Sequence, residues 1–231
     1  MKQASAKFDA TTLQSLLSAE TKQLFPAIEH LSEVTSTNDY LLHLSQQDAP
    51  NTICFTQTQT HGRGRRGQQW ISNSDDICFS ILWNTDIQLE QLAGVSLVIA
   101  LALVKALQAN YPELQFFVKW PNDIYQSENK ISGILIESTK NKAATAVIIG
   151  IGLNVTNDSK KRKLKNAYTC LSDIADDEIN PNQLIATILN KIQQDLHQFE
   201  AEGLTSFIEQ WNQYDISVDK NITVSTNQKE I

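Results

Sequence analysis

Cysteine is scarce in this sequence and lacks the spacings that would make it useful in pairs. Cys54, Cys78 and Cys170 are odd in number, widely separated and free of any C-x-x-C pair. This pattern indicates neither a disulfide framework nor a cysteine-based zinc site. We therefore expect a protein of a reducing compartment, the cytoplasm, and we assign no metal ligands.

Positive charge is also in short supply, with 19 Lys and Arg against 26 Asp and Glu and a formal net charge of -7. A general nucleic-acid binder needs a basic face, so this balance argues against one, and any basic cluster must be local. The densest basic run is read as a solvated loop without function. It consists of Lys160, Lys161, Arg162, Lys163 and Lys165.

Long apolar runs and targeting signals are missing as well. The most apolar run, residues 92–104, is shorter than the roughly 18 to 20 residues that cross a bilayer, and it predicts a buried core helix. The first ten residues have no apolar stretch that would make a signal peptide. The segment before Pro26 is too short for a helix-turn-helix domain. We expect neither membrane nor nucleic acid as a partner.

Strand-like and helical patterns alternate along the chain. Strands are predicted at residues 28–34, 53–58, 77–83, 116–119, 131–137 and 146–155. Helices are predicted at residues 36–44, 89–110, 181–203 and 204–214. These patterns predict an α+β fold with a mixed, largely antiparallel β-sheet flanked by helices. Residues 1–214 form the predicted main domain, and 215–231 form an incomplete β-rich fragment.

A polar loop between two predicted strands alternates glycine with arginine and is followed by Trp70. Its residues are Gly62, Arg63, Gly64, Arg65, Arg66 and Gly67. Glycines let a backbone approach a ligand closely, and arginines offer forked donors that match phosphate or carboxylate. The loop therefore predicts an anion site. Two alternatives are an RG-rich nucleic-acid segment and a mobile loop whose charges are solvated.

Three further motifs follow in order. A strand end and turn contain Lys119, Trp120, Pro121, Asn122 and Asp123. A later strand begins with Lys130 and has Gly133, and another ends in Gly150, Gly152 and Asn154. A lysine and an aspartate so placed can hold an acid and deprotonate an amine. Each motif alone is also ordinary turn chemistry, an edge lysine or a bulge.

Taken together, these motifs resemble those of biotin protein ligases, from about residue 33 to residue 214. The chain resembles the monofunctional type, without the N-terminal DNA-binding domain of some members. The resemblance implies the fold of class II synthetases and biotin ligases, followed by a small SH3-like β barrel, of which residues 215–231 would be a truncated piece. It implies ATP-dependent activation of biotin to biotinyl-5'-adenylate, with Mg²⁺, and transfer to a lysine of the biotin carboxyl carrier domain of a carboxylase.

The resemblance also assigns residues to the site. The implied biotin-binding residues are Ser36, Thr37, Asn38, Gln59, Gly62, Arg63, Gly64, Lys130 and Gly133. The implied nucleotide-binding residues are Arg65, Arg66, Gly67, Trp70, Lys119, Asn122 and Asn154. Catalytic roles fall to Lys130, Arg65 and Asp123. Without the resemblance, Ser36, Thr37, Asn38 and Asp39 would be read as the capped start of a helix.

Two alternatives belong to other classes. Lipoate protein ligases share the fold and the adenylate chemistry, although their glycine-rich signature differs from residues 62–67. A biotin-binding sensor without catalysis is the second. A homodimer through an edge strand near residues 143–149 is a further hypothesis.

Overall fold

The protein, described from a computed structural model, is built around one seven-stranded sheet. The structure describes residues 8–140, 144–158, 167–176, 178–221, 225–226 and 229–230. In chain order the strands are β1 (Ala27–Val34), β2 (Thr52–Gln59), β3 (Ile77–Thr85), β4 (Phe116–Lys119), β5 (Asp123–Gln126), β6 (Asn129–Lys140) and β7 (Thr145–Leu153). Across the sheet they run β1-β2-β3-β7-β6-β5-β4. β1 is parallel to β2 and all other neighbours are antiparallel, so the predicted mixed, largely antiparallel sheet is confirmed.

Helices flank this sheet, as predicted. They are α1 (Ala10–Leu16), α2 (Ala19–Leu24), α3 (Thr37–Ser45), α4 (Val95–Asn110), α5 (Leu171–Ile174), α6 (Pro181–Glu202) and α7 (Ile208–Tyr214). The helix predicted at residues 89–110 is not continuous. A 3-10 helix, Leu89–Leu92, precedes α4, and Gly94 between them has φ of 96°, which a right-handed helix cannot contain. Another 3-10 helix, Leu204–Phe207, likewise precedes α7.

The main core lies between one face of the sheet and helices α1, α4 and α6. Ten of the sixteen residues of α4 are buried, and α6 buries an apolar stripe against it. Strand β7 is buried along its whole length, since it has neighbours on both sides and cover on both faces. The largest enclosed side chains include Trp83, Phe79 and Phe116.

One helical stretch, Leu89–Asn110, is long and apolar enough to cross a membrane by length and composition. In the structure it is a core element, because Val98 and the six residues after it have no solvent exposure at all. The buried core helix predicted from the sequence is confirmed.

The opposite face of the sheet is covered over only part of its area. Helix α3 packs on β2, β3 and β7 and encloses a second, smaller cluster. Its buried members are Leu41, Cys54, Leu82, Ala146 and Ile148. The rest of this face carries no helix among the described residues, and the loop of residues 62–70 lies on it. The uneven cover produces the cleft described below.

Several details differ from the sequence predictions. Strand β7 pairs with β3 and β6, so the strand near residues 143–149 is internal and the proposed dimer contact through it is wrong. Strand β5 and helices α2 and α5 were not predicted, because each is only a few residues long. The basic run at residues 160–165 lies outside the described residues.

In the C-terminal fragment, Ser225–Thr226 (β8) pairs with Lys229–Glu230 (β9) as a ribbon of two short strands, and an SH3-like piece is not confirmed. The boundary at residue 214 stays a prediction.

The smaller cluster predicts that the folded protein loses stability at alkaline pH. Burial raises the pKa of Cys54 from 9.0 to about 12, and a hydrogen bond donated to Glu29 raises the pKa of Tyr40 to about 12. As the pH rises above 9.0 for Cys54 and 10.0 for Tyr40, each group ionises in the unfolded chain but stays neutral in the folded protein until the pH nears 12. Their contribution to stability is therefore complete below pH 9 and is lost as the pH rises toward 12.

We expect Cys54→Ala to lower stability at neutral pH, because it leaves a small cavity, but to reduce the loss of stability above pH 9. For the wild-type thiol, that loss is about 2 kcal/mol near pH 10.5, at about 1.4 kcal/mol for each pH unit above the unfolded pKa. Urea denaturation of both proteins at several pH values measures this difference. Parallel stability curves for the two proteins would show that Cys54 does not cause the alkaline loss.

Candidate functional site

The site lies on a patch of the sheet that has no side chains. Side chains alternate between the two faces of a strand, and the register pairs Gly133 of β6 with Gly152 of β7. Gly150 lies two residues before Gly152 and therefore on the same face. These three glycines expose the backbone of two adjacent strands to whatever packs on it.

Two side chains occupy the space that the glycines leave. A Cβ atom added to Gly152 would lie 2.3 Å from Cε2 of Trp70, and one added to Gly133 would lie 3.2 Å from Cζ3 of the same ring. A Cβ atom added to Gly150 would lie 2.2 Å from Oδ1 of Asn38. The two glycines of the G-x-G motif thus serve different partners. The indole ring of Trp70 packs on Gly152, and the side-chain amide of Asn38 packs on Gly150.

The start of helix α3 forms one end of the site. Ser36 caps the helix, its Oγ accepting from the backbone N–H of Asp39, as predicted from the sequence. The backbone N–H and the hydroxyl of Thr37 both donate to Oε1 of Gln59, at 3.0 and 3.3 Å. The hydroxyl of Thr37 also lies 2.6 Å from Oγ of Ser80. Polar groups from α3, β2 and β3 therefore meet at one point of the sheet face.

The glycine-arginine loop is folded into a tight hairpin over this face. The backbone N–H of Gly64 donates to the carbonyl of Gln68 at 2.7 Å, and that of Trp70 donates to the carbonyl of Gly62 at 2.9 Å. A Cβ atom on Gly62 would lie 2.6 Å from the carbonyl oxygen of Trp70, so the two sides of the hairpin approach as closely as only glycine allows. Its tip, at residues 65–67, is exposed.

Arg63 is held by the carboxylates of two neighbouring elements. Its guanidinium donates to both oxygens of Glu137, at 2.9 and 2.6 Å, and lies 2.6 Å from an oxygen of Asp39. The hydrogen bonds to Glu137 are the main cause that raises the pKa of Arg63, against desolvation, which lowers it. The side chain of Arg63 is thus directed at the protein itself, and its predicted role in biotin binding stays a prediction.

Lys130 and Asp123 form an ion pair over the glycine patch. Nζ of Lys130 lies 2.7 Å from Oδ1 of Asp123 and 5.8 Å from the centre of the Trp70 ring. Both side chains are about a quarter exposed, at 29% and 26%. The cation is therefore within reach of an incoming anion, and the carboxylate is within reach of an incoming amine.

The turn between β4 and β5 forms the opposite wall. Asn122 is fixed by a hydrogen bond from its Nδ2 to the carbonyl of Ile134 at 2.7 Å, and its Oδ1 accepts from Arg65 at 3.0 Å. The latter bond joins the tip of the loop to this wall. Nζ of Lys119 lies 5.0 Å from the centre of the Tyr125 ring at the cleft margin.

The end of β7 is closed by a returning segment. The backbone N–H of Thr169 donates to the carbonyl of Lys130 at 2.9 Å, and Nδ2 of Asn154 donates to the carbonyl of Thr169 at 3.2 Å. Asn154 is buried, with 5% of its surface exposed. Its predicted contact with a nucleotide stays a prediction.

These elements enclose a cleft of about 1160 Å³. Typical ligand sites measure about 300–1,000 Å³, so this one has room for two joined small molecules. Every predicted site residue except Gly62 and Gly67 lines it. The predicted residues in the lining are Ser36, Thr37, Asn38, Gln59, Arg63, Gly64, Arg65, Arg66, Trp70, Lys119, Asn122, Asp123, Lys130, Gly133 and Asn154.

Sequence reasoning missed several residues that shape the site. Ser80 is a polar residue within an otherwise apolar run of β3, and this contrast could have revealed it. Glu137 lies four residues after Gly133 in β6, and because side chains alternate between the faces of a strand it lies on the same face as the glycines. Trp120, which is 66% exposed at the cleft mouth, was treated only as a turn residue.

The sequence matches the model of the "Biotin/lipoate A/B protein ligase family" over residues 31–154, which is more than half of the chain. A curated relative from Salmonella typhimurium, the "Bifunctional ligase/repressor BirA", is 30% identical over 225 residues; the alignment covers 96% of this chain and 68% of that protein. The chain belongs to the biotin protein ligase family.

Two other relatives agree with this assignment. The human "Biotin--protein ligase" is 28% identical over 214 residues, covering 84% of this chain and 28% of that protein. The structure of a biotin protein ligase from Aquifex aeolicus, in complex with biotin and ATP, is 28% identical and superposes with a TM-score of 0.76, covering 90% of this chain and 85% of that chain. The predicted membership of the biotin protein ligases is confirmed, as is the predicted type of catalytic fold.

The packing of Trp70 on the glycine patch gives a testable prediction for this ligase-family site. In Gly152→Ala, the added methyl group cannot share the position of the indole ring, so we expect Trp70 to leave the sheet. Fluorine NMR of the protein labelled with fluorotryptophan should show a shifted Trp70 resonance, assigned by Trp70→Phe. The resonance of Trp83, buried in the main core, serves as the internal control. An unchanged Trp70 signal in Gly152→Ala would contradict the packing described here.

Proposed function

We propose that the chain activates biotin with ATP and transfers it to a lysine of a biotin carboxyl carrier domain. In the first step a biotin carboxylate oxygen attacks the α-phosphorus of ATP, giving biotinyl-5'-adenylate and releasing diphosphate. In the second, the lysine amine attacks the acyl carbon and AMP leaves. The observation that carries this proposal is that the residues predicted for biotin, nucleotide and catalysis line one cleft, with Lys130 and Asp123 paired within it.

The polar start of α3 is suited to the ureido head of biotin. Thr37 and Gln59 supply neutral donors and acceptors, and Ser36 and Asn38 lie beside them in the lining. The glycine patch next to them offers a flat backbone surface along which an apolar chain can lie. We assign biotin to this part of the cleft.

The arginine loop and Trp70 are suited to the adenylate. Arg65 and Arg66 bring two exposed guanidinium groups to the cleft of a chain of net charge -7, where they concentrate positive charge at one place. Nε1 of Trp70 is buried and has no hydrogen-bond partner among the described residues, so it can donate to a ligand. We assign the nucleotide to this part, with Arg65, Arg66, Lys119, Asn122 and Asn154 as its polar contacts in the lining; Gly67 lies at the loop tip.

Lys130 and Asp123 act in turn in the proposed reaction. Activation brings a carboxylate and a phosphate together, and a fixed cation lowers the electrostatic cost of that approach. When Lys130 turns to these anions, Asp123 loses its partner and can accept the ammonium group of the acceptor lysine. A positioned carboxylate there orients the amine and removes its proton, which an amine with a pKa of about 10.4 retains at neutral pH.

Mg²⁺ is part of the proposal as a companion of ATP. Among the described residues, no group of three or more His, Cys, Asp or Glu could hold a metal ion. Magnesium usually keeps several waters and binds through substrate phosphates with about one or two carboxylates. Asp123 is the one carboxylate among the described residues that line the cleft. The proposal also places the protein in the cytoplasm, where the thiols of its three buried cysteines would stay reduced.

Incubation with ATP labelled at the α-phosphate tests the function directly. We expect adenylate that depends on biotin and a labelled carrier domain when one is added. Lipoate in place of biotin serves as the matched control, because it tests the related ligase class with the same chemistry. Lipoate-dependent adenylate would assign the chain to that class, and biotin binding without any adenylate would make it a sensor.

A pair of variants tests the division of roles between Lys130 and Asp123. Lys130→Ala should reduce adenylate formation by about a hundredfold or more, the usual effect of losing one preorganised charge, while supplied adenylate is still transferred. Asp123→Asn should reduce transfer more than adenylate formation. Single-turnover rates of the two half-reactions measure this split. Equal losses in both half-reactions for both variants would refute it.

A further inference from the structure

Glu137, in the second half of β6, accepts three hydrogen bonds from side chains of a loop and a helix. It accepts two hydrogen bonds from Arg63, at 2.9 and 2.6 Å, and one from Nδ2 of Asn38 at 2.9 Å. It therefore joins the glycine-arginine loop to helix α3. Its side chain is 26% exposed, so water reaches it only in part.

The hydrogen bonds continue from Glu137 into the base of the cleft. Oδ1 of Asn38 accepts from Oγ of Ser80 at 2.6 Å, and Ser80 in turn meets the hydroxyl of Thr37 at 2.6 Å. Thr37 donates to Gln59. Asn38, Ser80 and Thr37 are at most 3% exposed, so water cannot replace a lost partner easily. Displacement at one end of this network is therefore transmitted to the other.

The backbone around the network leaves it little freedom. The side chain of Asn38 is seated against Gly150, where even one extra methyl group would collide with it. Its Nδ2 also reaches the carbonyl of Leu135 at 3.3 Å. Arg63, at the other end, lies one residue after the point where the hairpin is closed by the bond from Trp70 to Gly62. Glu137 thus joins two parts that are each fixed in place.

We propose that Glu137 is a positioning residue of the biotin site. Through Arg63 it holds the loop against the sheet, and through Asn38 it aligns the start of α3, so that closure of the loop and order in the biotin pocket depend on each other. This inference rests on the proposed function for the identity of the ligand. The network itself does not.

If the ion pair between Arg63 and Glu137 only stabilised the fold, its loss would lower the unfolding temperature and would affect biotin binding only to the extent that the protein unfolds. The side chains of Arg63 and Glu137 are 36% and 26% exposed, and an ion pair that solvent reaches to this extent contributes little to global stability. Loss of Glu137 should therefore leave the unfolding temperature nearly unchanged while it loosens the loop and the biotin pocket. The combination of these two results separates positioning from simple stabilisation.

The test compares Glu137→Gln with Glu33→Gln in the full chain. Both remove one negative charge, but Glu33 is exposed on the edge strand β1 and is not among the residues that line the cleft. Trypsin cleavage after Arg63, Arg65 and Arg66, followed by mass spectrometry, reports release of the loop. We expect Glu137→Gln to speed this cleavage and the dissociation of biotin by about tenfold, the scale of one lost charge-assisted hydrogen bond. Glu33→Gln should match the wild type.

The double variant Arg63→Gln with Glu137→Gln completes the cycle. If the two residues act through each other, the double variant should be cleaved after Arg65 and Arg66, and should release biotin, no faster than the more affected of the single variants Arg63→Gln and Glu137→Gln. Cleavage and biotin release in Glu137→Gln equal to those in Glu33→Gln would overturn the inference, as would a loss of binding that merely follows a lowered unfolding temperature. Failure of the wild type to form biotinyl-adenylate would refute the proposed function instead, and the cleavage comparison would still decide the role of Glu137 in the loop.

Discussion

The packing of the Trp70 indole directly on the backbone of β6 and β7 is the contact on which the site depends. It requires Gly152 and Gly133 to lie side by side on one face of the sheet, which the antiparallel register of these strands provides. Once Trp70 is seated there, the preceding hairpin must cross the sheet face. This places its arginines in the lining of the cleft.

The same sheet has two very different faces, and this difference separates stability from chemistry. Helices α1, α4 and α6 cover one face with apolar side chains, while the other is covered by α3 over only part of its area. The rigid core can therefore hold polar groups of α3, β3 and β6 within hydrogen-bond distance without itself containing them. A site supported in this way takes its geometry from the core beneath it.

Charge in the cleft is balanced by internal pairs that a ligand can rearrange. Lys130 is neutralised by Asp123, and Arg63 by Glu137 and Asp39. The first pair lies at the proposed reaction centre, where a substrate anion competes for the lysine. The second pair is buttressed by Asn38 and the buried hydroxyls behind it, so it is suited to hold a position. Lys130 and Arg63 thus differ in their surroundings, although the sequence shows each of them only as a basic residue.

Most of the secondary-structure elements and all four motifs can be identified from the residue order alone. Periodic apolar residues predicted most strands and helices, because local patterns of burial follow from the residue order. The resemblance of the four motifs to those of biotin protein ligases predicted which residues would share a cleft. Short elements such as β5 were missed, since a few residues give too weak a pattern. Only the tertiary structure showed that β7 is internal, that Gly150 and Gly152 seat different side chains, and that Glu137 joins Arg63 to Asn38. Strand order and register decide these features, and they bring together residues that are far apart in the chain, so no local pattern contains them.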